Sequence, residues 1–147
     1  MNITKTARAH WEGSIKEGKG TITTESHVLS NEPYSFKKRF GEEAGTNPEE
    51  LIGAAHASCF SMAFSGELFK AGITAKSIDT EARVTLVKDG EGFKISKSHL
   101  IVSVDASGAD QAKVKAAAES AKTNCPISKL LNAEVSMDFK ISQAKAA

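Results

Sequence analysis

The sequence predicts an α+β fold, and three observations carry that reading. Short segments of alternating polarity lie near both ends of the chain. A well-marked helix start at Asn47-Pro48 opens a long apolar segment, and Ile78 to Val104 reads as two strands joined by a turn. Strands, a helix, a hairpin, further helices and a last strand do not make a regular βαβ array. The 147 residues suit a single domain over 1–147. A chain of this length buries roughly two thirds of its unfolded surface without disulfide staples.

Residues Ala7 to Gly13 and Gly20 to Glu25 read as short strands joined by a turn around Lys16 to Lys19. Pro33 to Phe40 is expected to hold a third strand, on the brief Tyr34-Ser35-Phe36 alternation, and Phe40 to Gly45 a loop. At the helix start Asn47 is the expected N-cap, Pro48 takes the first helical position, and Glu50 falls where a capping-box carboxylate belongs. Glu49 and Glu50 also complement the positive end of the helix dipole. The helix is expected to run through Leu51, Ile52, Ala55, Cys59, Met62, Ala63 and Phe69 and to stop near Gly72. Ala54, Phe60, Phe64 and Leu68 fall outside that stripe, so the helix is apolar on more than one side, as buried helices are.

Ile78, Thr80, Ala82, Val84 and Leu86 alternate with polar residues, the mark of a half-buried strand. Lys88 to Gly92 is a hairpin turn, and the return strand runs from Phe93 to about Val104. Its phase changes between Ile95 and Leu100, which predicts a bulge. Asp110 to Lys122 is Ala-rich and helical; Asn124-Cys125-Pro126 breaks it, and a short second helix follows to Leu131. Val135, Met137, Phe139 and Ile141 alternate as a last strand, with a frayed tail over about 142–147.

Nineteen basic residues stand against eighteen acidic, a formal charge of +1. That balance argues against nucleic-acid and membrane-surface partners. The start MNITKTARAHWEG has no apolar run after its first charges and does not read as a signal peptide. The most apolar stretch, Leu51 to Phe64, is shorter than the roughly 20 apolar residues of a membrane span. The expectation is a soluble, cytoplasmic protein, in which two cysteines are more often free core residues or redox groups than a structural bridge.

Cys59 lies about three turns into the long helix. A free cysteine there is often just a small apolar core residue. A chemical role needs the thiolate, and an unperturbed thiol, with pKa about 8.5, is only a few per cent ionised at neutral pH. Mid-helix there is no dipole help, and burial alone raises the pKa, so a cation must come to the sulfur. An exposed Arg about 4 Å away contributes about 1 kcal/mol, a partly desolvated one about 4. Cys125 differs: Cys-Pro at a helix start puts the sulfur by unpaired backbone N–H groups. Position alone does not decide which cysteine attacks first.

Other constellations are weak. There is no Cys-x-x-Cys and no G-x-S-x-G, and Gly18-Lys19-Gly20 lacks a third glycine. His56 and Cys59 share a helix face but make only two of the four ligands a structural zinc site takes. His10, His27 and His99 show no ligand spacing and read as surface or strand residues.

Residues Thr46 to Ala63, TNPEELIGAAHASCFSMA, closely resemble the central helix of the OsmC proteins. His10-Trp11-Glu12-Gly13 and Cys125-Pro126-Ile127-Ser128 resemble two further signatures of that family, in the same order along the chain. The organic-hydroperoxide-resistance branch typically has a Gly-Tyr pair before the cysteine and a Tyr after Cys-Pro. Here Ala55-His56 and Ile127 stand instead, which favours the OsmC branch.

The resemblance implies an antiparallel sheet around a long central helix, in an intertwined two-fold homodimer with sites at the subunit interface. It implies thiol-dependent reduction of organic hydroperoxides, and less well of hydrogen peroxide, in oxidative and osmotic stress defence. Cys59 would be peroxidatic and Cys125 resolving, by way of a Cys59 sulfenic acid and a Cys59–Cys125 disulfide. Arg39 and Glu49 match the pair that organises the thiolate, with Glu50 the alternative partner for Arg39. Taken without the family, Arg39 is one of a Lys37-Lys38-Arg39 surface cluster and Glu49 a helix-start carboxylate. No metal, haem or flavin is implied; the reductant is an external dithiol, of lipoyl type in the family.

Helix geometry adds a constraint of its own. Glu49 is ten residues before Cys59, about 15 Å along one helix, so it cannot reach the sulfur of its own helix. If Glu49 acts at the thiol, it comes from another copy of the chain. Phe60, Phe64, Leu51, Ile52 and His56 are candidates to shape a substrate pocket, each with core packing as its plainer role. Two rival classes of function remain. One is a non-enzymatic redox sensor, disfavoured by the lack of a basic DNA-binding helix pair. The other is a module for a small apolar ligand in which both cysteines are incidental.

Overall fold

A short turn and closely packed glycines set up the first sheet. The chain is described over residues 1–142 by a computed structural model, so the expected tail beyond Ser142 lies outside the described residues. It divides into two compact units, Met1–Leu51 and Ile52–Ala147. In the first, β1 (Ala7–Glu12) pairs antiparallel with β2 (Lys19–Thr24), from Ala7 opposite Thr24 to Glu12 opposite Lys19. β2 pairs antiparallel with β3 (Glu32–Tyr34). A Cβ at Gly20 would collide with the His10 carbonyl and the Tyr34 ring, so glycine alone lets these strands close. Trp11 and Tyr34 then meet across them, ring centroids 5.4 Å apart.

The third strand expected within Pro33 to Phe40 is present but short. It stops at Tyr34, and Phe36–Phe40 forms a short helix, α1. Ser35 causes the switch: its hydroxyl accepts the Lys38 backbone N–H at 3.2 Å, an N-cap bond. Phe36 and Phe40 then share a helix face, with centroids 4.8 Å apart. Helix α2 (Pro48–Lys70) starts as expected, with Asn47 Oδ1 accepting the Glu50 N–H at 2.8 Å. It ends at Lys70, and Gly72, with a φ of 75°, lets the Ile73 N–H turn back to the Leu68 carbonyl at 2.9 Å.

In the second unit β4 (Ser77–Asp89) and β5 (Gly92–Asp105) form the expected hairpin. Thr85 pairs with Lys97 and Leu86 with Ile95, which leaves Ser96 as an extra residue inside the interval where a bulge was expected. Helix α3 (Gln111–Asn124) is capped by Asp110, whose carboxylate accepts the Ala112 N–H at 2.9 Å and the Lys113 N–H at 3.2 Å. After α3 come α4 (Pro126–Leu130) and β6 (Glu134–Ser142).

The α+β class is observed, but the antiparallel expectation needs correction. β6 runs parallel to β5, because α3 and α4 form a crossover between them, and a parallel pair requires such a connection. The core of this unit joins Leu100, Val102 and Val104 of β5 to Val114, Ala117, Ala118 and Ala121 of α3.

The buried face of α2 also differs from the expected stripe. Gly53, His56, Phe60, Phe64 and Leu68 are buried, at three- and four-residue spacing. Met62 and Phe69 are 78% and 79% exposed. Much of α2 is Ala, Gly and Ser, so small residues blur the apolar period, and the bulky Phe60, Phe64 and Leu68 decide which face packs.

Candidate active site

Cys125 occupies a junction that fixes its sulfur. Its backbone N–H closes α3 on the Ala121 carbonyl at 2.9 Å, while its side chain caps α4 with Pro126 in the first helical position. The sulfur accepts the Ser128 backbone N–H at 3.3 Å, and the thiol donates to Ser128 Oγ at 3.3 Å. Cys125 is 1% exposed. Cys59, half-buried and midway along α2, brings its sulfur to the same turn of α4, against Cys125 and the Ile127 backbone N–H. Both cysteines are free thiols.

The electrostatics at Cys59 combine opposing effects. Burial pushes the thiol up, the Ile127 N–H pulls it down, and Cys125 pushes it up again; the sum lies above the ordinary thiol value. Residue patterns assigned the α4 backbone donors to Cys125 alone; the fold gives one of them to Cys59 as well.

His56 stands one turn before Cys59 and is completely buried. Its Nδ1 lies 2.6 Å from Ser98 Oγ and its Nε2 2.8 Å from Ser128 Oγ. Burial pushes its pKa down, so the ring is neutral near pH 7. Among the described residues no group of three or more His, Cys, Asp and Glu is placed to hold a metal ion. His99 belongs to β5 and bonds across to β6, 2.6 Å from Ser136 Oγ and 3.0 Å from Asp138 Oδ2.

Residue patterns did not point to Ser98 and Ser128 as the hydrogen-bond partners of His56. Ser98 carried a readable signal: it shares the inward phase of β5 with Leu100, Val102 and Val104, and a polar group there needs a partner. Of the two roles expected for Phe60 and Phe64, pocket or core, their burial fits core packing. Both are wholly buried core residues, with Phe64 5.7 Å from the Phe60 ring and 5.8 Å from the Phe139 ring. His56 is likewise buried and hydrogen-bonded, while Ile52 is half-buried.

The first unit holds the other pair. Arg39, in the last turn of α1, meets Glu49, in the first turn of α2. Its Nη2 donates to Oε1 at 2.8 Å, and its Nε lies 3.3 Å and 3.2 Å from the two carboxylate oxygens. The choice between Glu49 and Glu50 therefore falls on Glu49. Arg39 also stacks over the Phe40 ring at 5.1 Å. Beside it a cavity of about 240 Å³ is lined by Trp11, Ile15, Tyr34, Phe36 and Phe40, with Arg39 and Ser35 its polar members. Leu51 in the same unit is half-buried.

The family model of the OsmC-like proteins matches residues 41–140. Peroxiredoxin OsmC of Escherichia coli (strain K12) is 52% identical over 141 residues, covering 96% of this chain and 99% of that protein. The chain belongs to the OsmC-like proteins.

A second relative, the organic hydroperoxide resistance protein OhrB of Bacillus subtilis (strain 168), is 30% identical over 82% of this OsmC-like chain and 89% of its own length. The crystal structure of the organic hydroperoxide resistance protein OsmC from Legionella pneumophila superposes with a TM-score of 0.71 at 25% identity, over 95% of this chain and 97% of that one. The OsmC-like match takes in Glu49, Cys59 and Cys125, and Arg39 stands two residues before it. No helix among the described residues is long and apolar enough to cross a membrane.

Proposed function

We propose that this OsmC-like chain is a thiol-dependent peroxidase that reduces organic hydroperoxides, and less well hydrogen peroxide, to alcohols. The carrying observation is the meeting of two free sulfurs, Cys59 and Cys125, on one turn of α4. The names of its E. coli and B. subtilis relatives point the same way. In this reading the Cys59 thiolate attacks the outer peroxide oxygen, the O–O bond breaks, and the alcohol leaves as Cys59 becomes a sulfenic acid. Cys125 then displaces hydroxide from that sulfur, forming the disulfide, which needs Cα atoms within roughly 7 Å. An external dithiol, of lipoyl type, reduces the bridge.

Burial alone leaves Cys59 too protonated, so the thiolate needs a guanidinium. Arg39, clamped by Glu49, supplies it from a second copy of the chain in a two-fold homodimer. Two features support that arrangement. Glu49 and Cys59 are ten positions apart on one helix, about 15 Å along its axis. The exposed side of α2 presents Ala55, Met62 and Phe69, an apolar stripe of the kind an interface covers. The aromatic cavity beside Arg39 would take the alkyl or aryl group; at about 240 Å³ it lies below the usual range of about 300–1,000 Å³ for drug-sized ligands, which favours small hydroperoxides. The whole chain acts as one OsmC-like domain in the cytoplasm, in defence against oxidative and osmotic stress.

The test is a steady-state assay with cumene hydroperoxide and hydrogen peroxide, using dihydrolipoamide and thioredoxin as parallel reductants. Many turnovers with cumene hydroperoxide and dihydrolipoamide are expected. A single oxidation that stops despite excess dithiol would make the protein a sensor instead.

A further inference from the structure

A buried hydrogen-bond chain runs behind Cys125, through Ser128 and His56 to Ser98. Cys125 donates its thiol proton to Ser128 Oγ at 3.3 Å. In the tautomer that lets the single Ser128 hydroxyl proton go to His56 Nε2, 2.8 Å away, the ring carries its own N–H at Nδ1, 2.6 Å from Ser98 Oγ. Three elements contribute, since Ser98 lies on β5, His56 on α2 and Ser128 on α4. A wholly buried imidazole is an expensive way to fill space, because an apolar side chain would need no partners there. Here the chain of donors ends on a sulfur that must lose its proton to form a disulfide.

We propose that Ser128 is a further catalytic residue, the acceptor for the Cys125 thiol proton, and that His56, anchored by Ser98, holds Ser128 in place and takes up the proton that Ser128 passes on. The proposal rests on the thiol-peroxidase reading, in which Cys125 resolves a Cys59 sulfenic acid. As the Cys125 sulfur attacks, its proton passes to Ser128 Oγ while Ser128 passes its own to His56 Nε2. The S–S bond forms, the S–O bond of the sulfenic acid breaks, and the departing hydroxide takes the proton back, giving one disulfide and one water. The Cys59 sulfur is formally reduced by one electron and the Cys125 sulfur oxidised by one, so no outside reagent enters. The groups facing the relay are Ser98 and Ser128 on the imidazole, and Cys59 with Ser128 on the Cys125 sulfur. Burial keeps His56 neutral, which leaves Nε2 able to accept.

The experiment gives the full-length reduced protein one equivalent of cumene hydroperoxide and follows both steps by rapid quench, a sulfenic-acid trap and intact mass. Wild type, Ser128→Ala, Ser128→Thr and Ser98→Ala are compared. Sulfenic acid is expected at Cys59 within about twofold of the wild-type rate in all four, whereas disulfide formation slows by about 10- to 100-fold in Ser128→Ala. Ser128→Thr, which keeps a hydroxyl, restores the step, and Ser98→Ala slows it by about threefold. The rate in Ser128→Ala should climb by about tenfold per pH unit between about pH 6 and 8, because hydroxide must take the proton, while wild type stays nearly flat. A wild-type rate of disulfide formation in Ser128→Ala overturns the relay and leaves the peroxidase reading standing. If wild-type Cys59 is not oxidised at all, the peroxidase reading fails first and the relay falls with it.

Discussion

Arg39 and Glu49 form a two-pronged ion pair, closest at 2.8 Å, with the Glu49 side chain 14% exposed and that of Arg39 37%. A forked contact of this kind holds the guanidinium plane in one orientation, which a lysine cannot reproduce. Arg39→Ala should therefore raise the pH midpoint of Cys59 alkylation above that of wild type and lower kcat/KM by about 100-fold, the usual size of losing one preorganised electrostatic donor. Glu49→Gln should do the same more weakly, because the arginine remains but loses its clamp. An alkylation profile that does not move in Arg39→Ala would remove Arg39 from the thiol's electrostatics.

The two cysteines should fail in different ways. Cys59→Ser is expected to abolish turnover. Cys125→Ser should consume one peroxide per chain and stall as a Cys59 sulfenic acid, visible as one added oxygen by intact mass spectrometry. Sulfenic acid trapped on Cys125 in an active Cys59→Ser protein would reverse the assignment.

His56 ties stability to pH. Its folded pKa is depressed by burial, so the folded state favours the neutral ring more than the unfolded chain does. The resulting stabilisation is fully present above the unfolded value of about 6.5 and is lost as pH falls from there through the folded value. In urea titrations wild type should lose stability over that window more steeply than His56→Gln, by at most about 1.4 kcal/mol per pH unit. Equal slopes in the two proteins would mean that the ring protonates as freely folded as unfolded.

Much of this was legible in the residues, for local reasons. The α2 start could be read because Asn47, Pro48 and Glu50 each act within one turn, and α4 because Cys125-Pro126 does. The Ser96 bulge followed from a phase change in β5. What failed to show was decided at long range. Nothing between Asp105 and Glu134 says that β6 will lie parallel to β5. The packed face of α2 stayed hidden because it is set by what β5 and α3 present to it. The link from His56 to Ser98 spans 42 positions and that to Ser128 spans 72, so no local pattern could reveal them. Ser35 is the one local signal misread, a cap inside what looked like a strand.

The shared-site arrangement makes a prediction that separates two copies from one. If Arg39 and Glu49 serve the Cys59 of the other chain, a dimer of Cys59→Ser with Arg39→Ala rebuilds one working site, from the intact cysteine of one chain and the intact arginine of its partner. Random exchange of equal amounts makes half the dimers mixed, each with one good site of two, so two inactive proteins should together recover about a quarter of wild-type activity. Adding Met62→Glu to both chains sets like charges on the exposed stripe of α2, where Met62 is 78% exposed. That change should shift sedimentation towards the single-chain mass and abolish the rescue, because desolvating unpaired carboxylates opposes the contact. Mixtures that stay inactive while mass spectrometry shows mixed dimers would mean that Arg39 and Glu49 do not serve the Cys59 of the other chain.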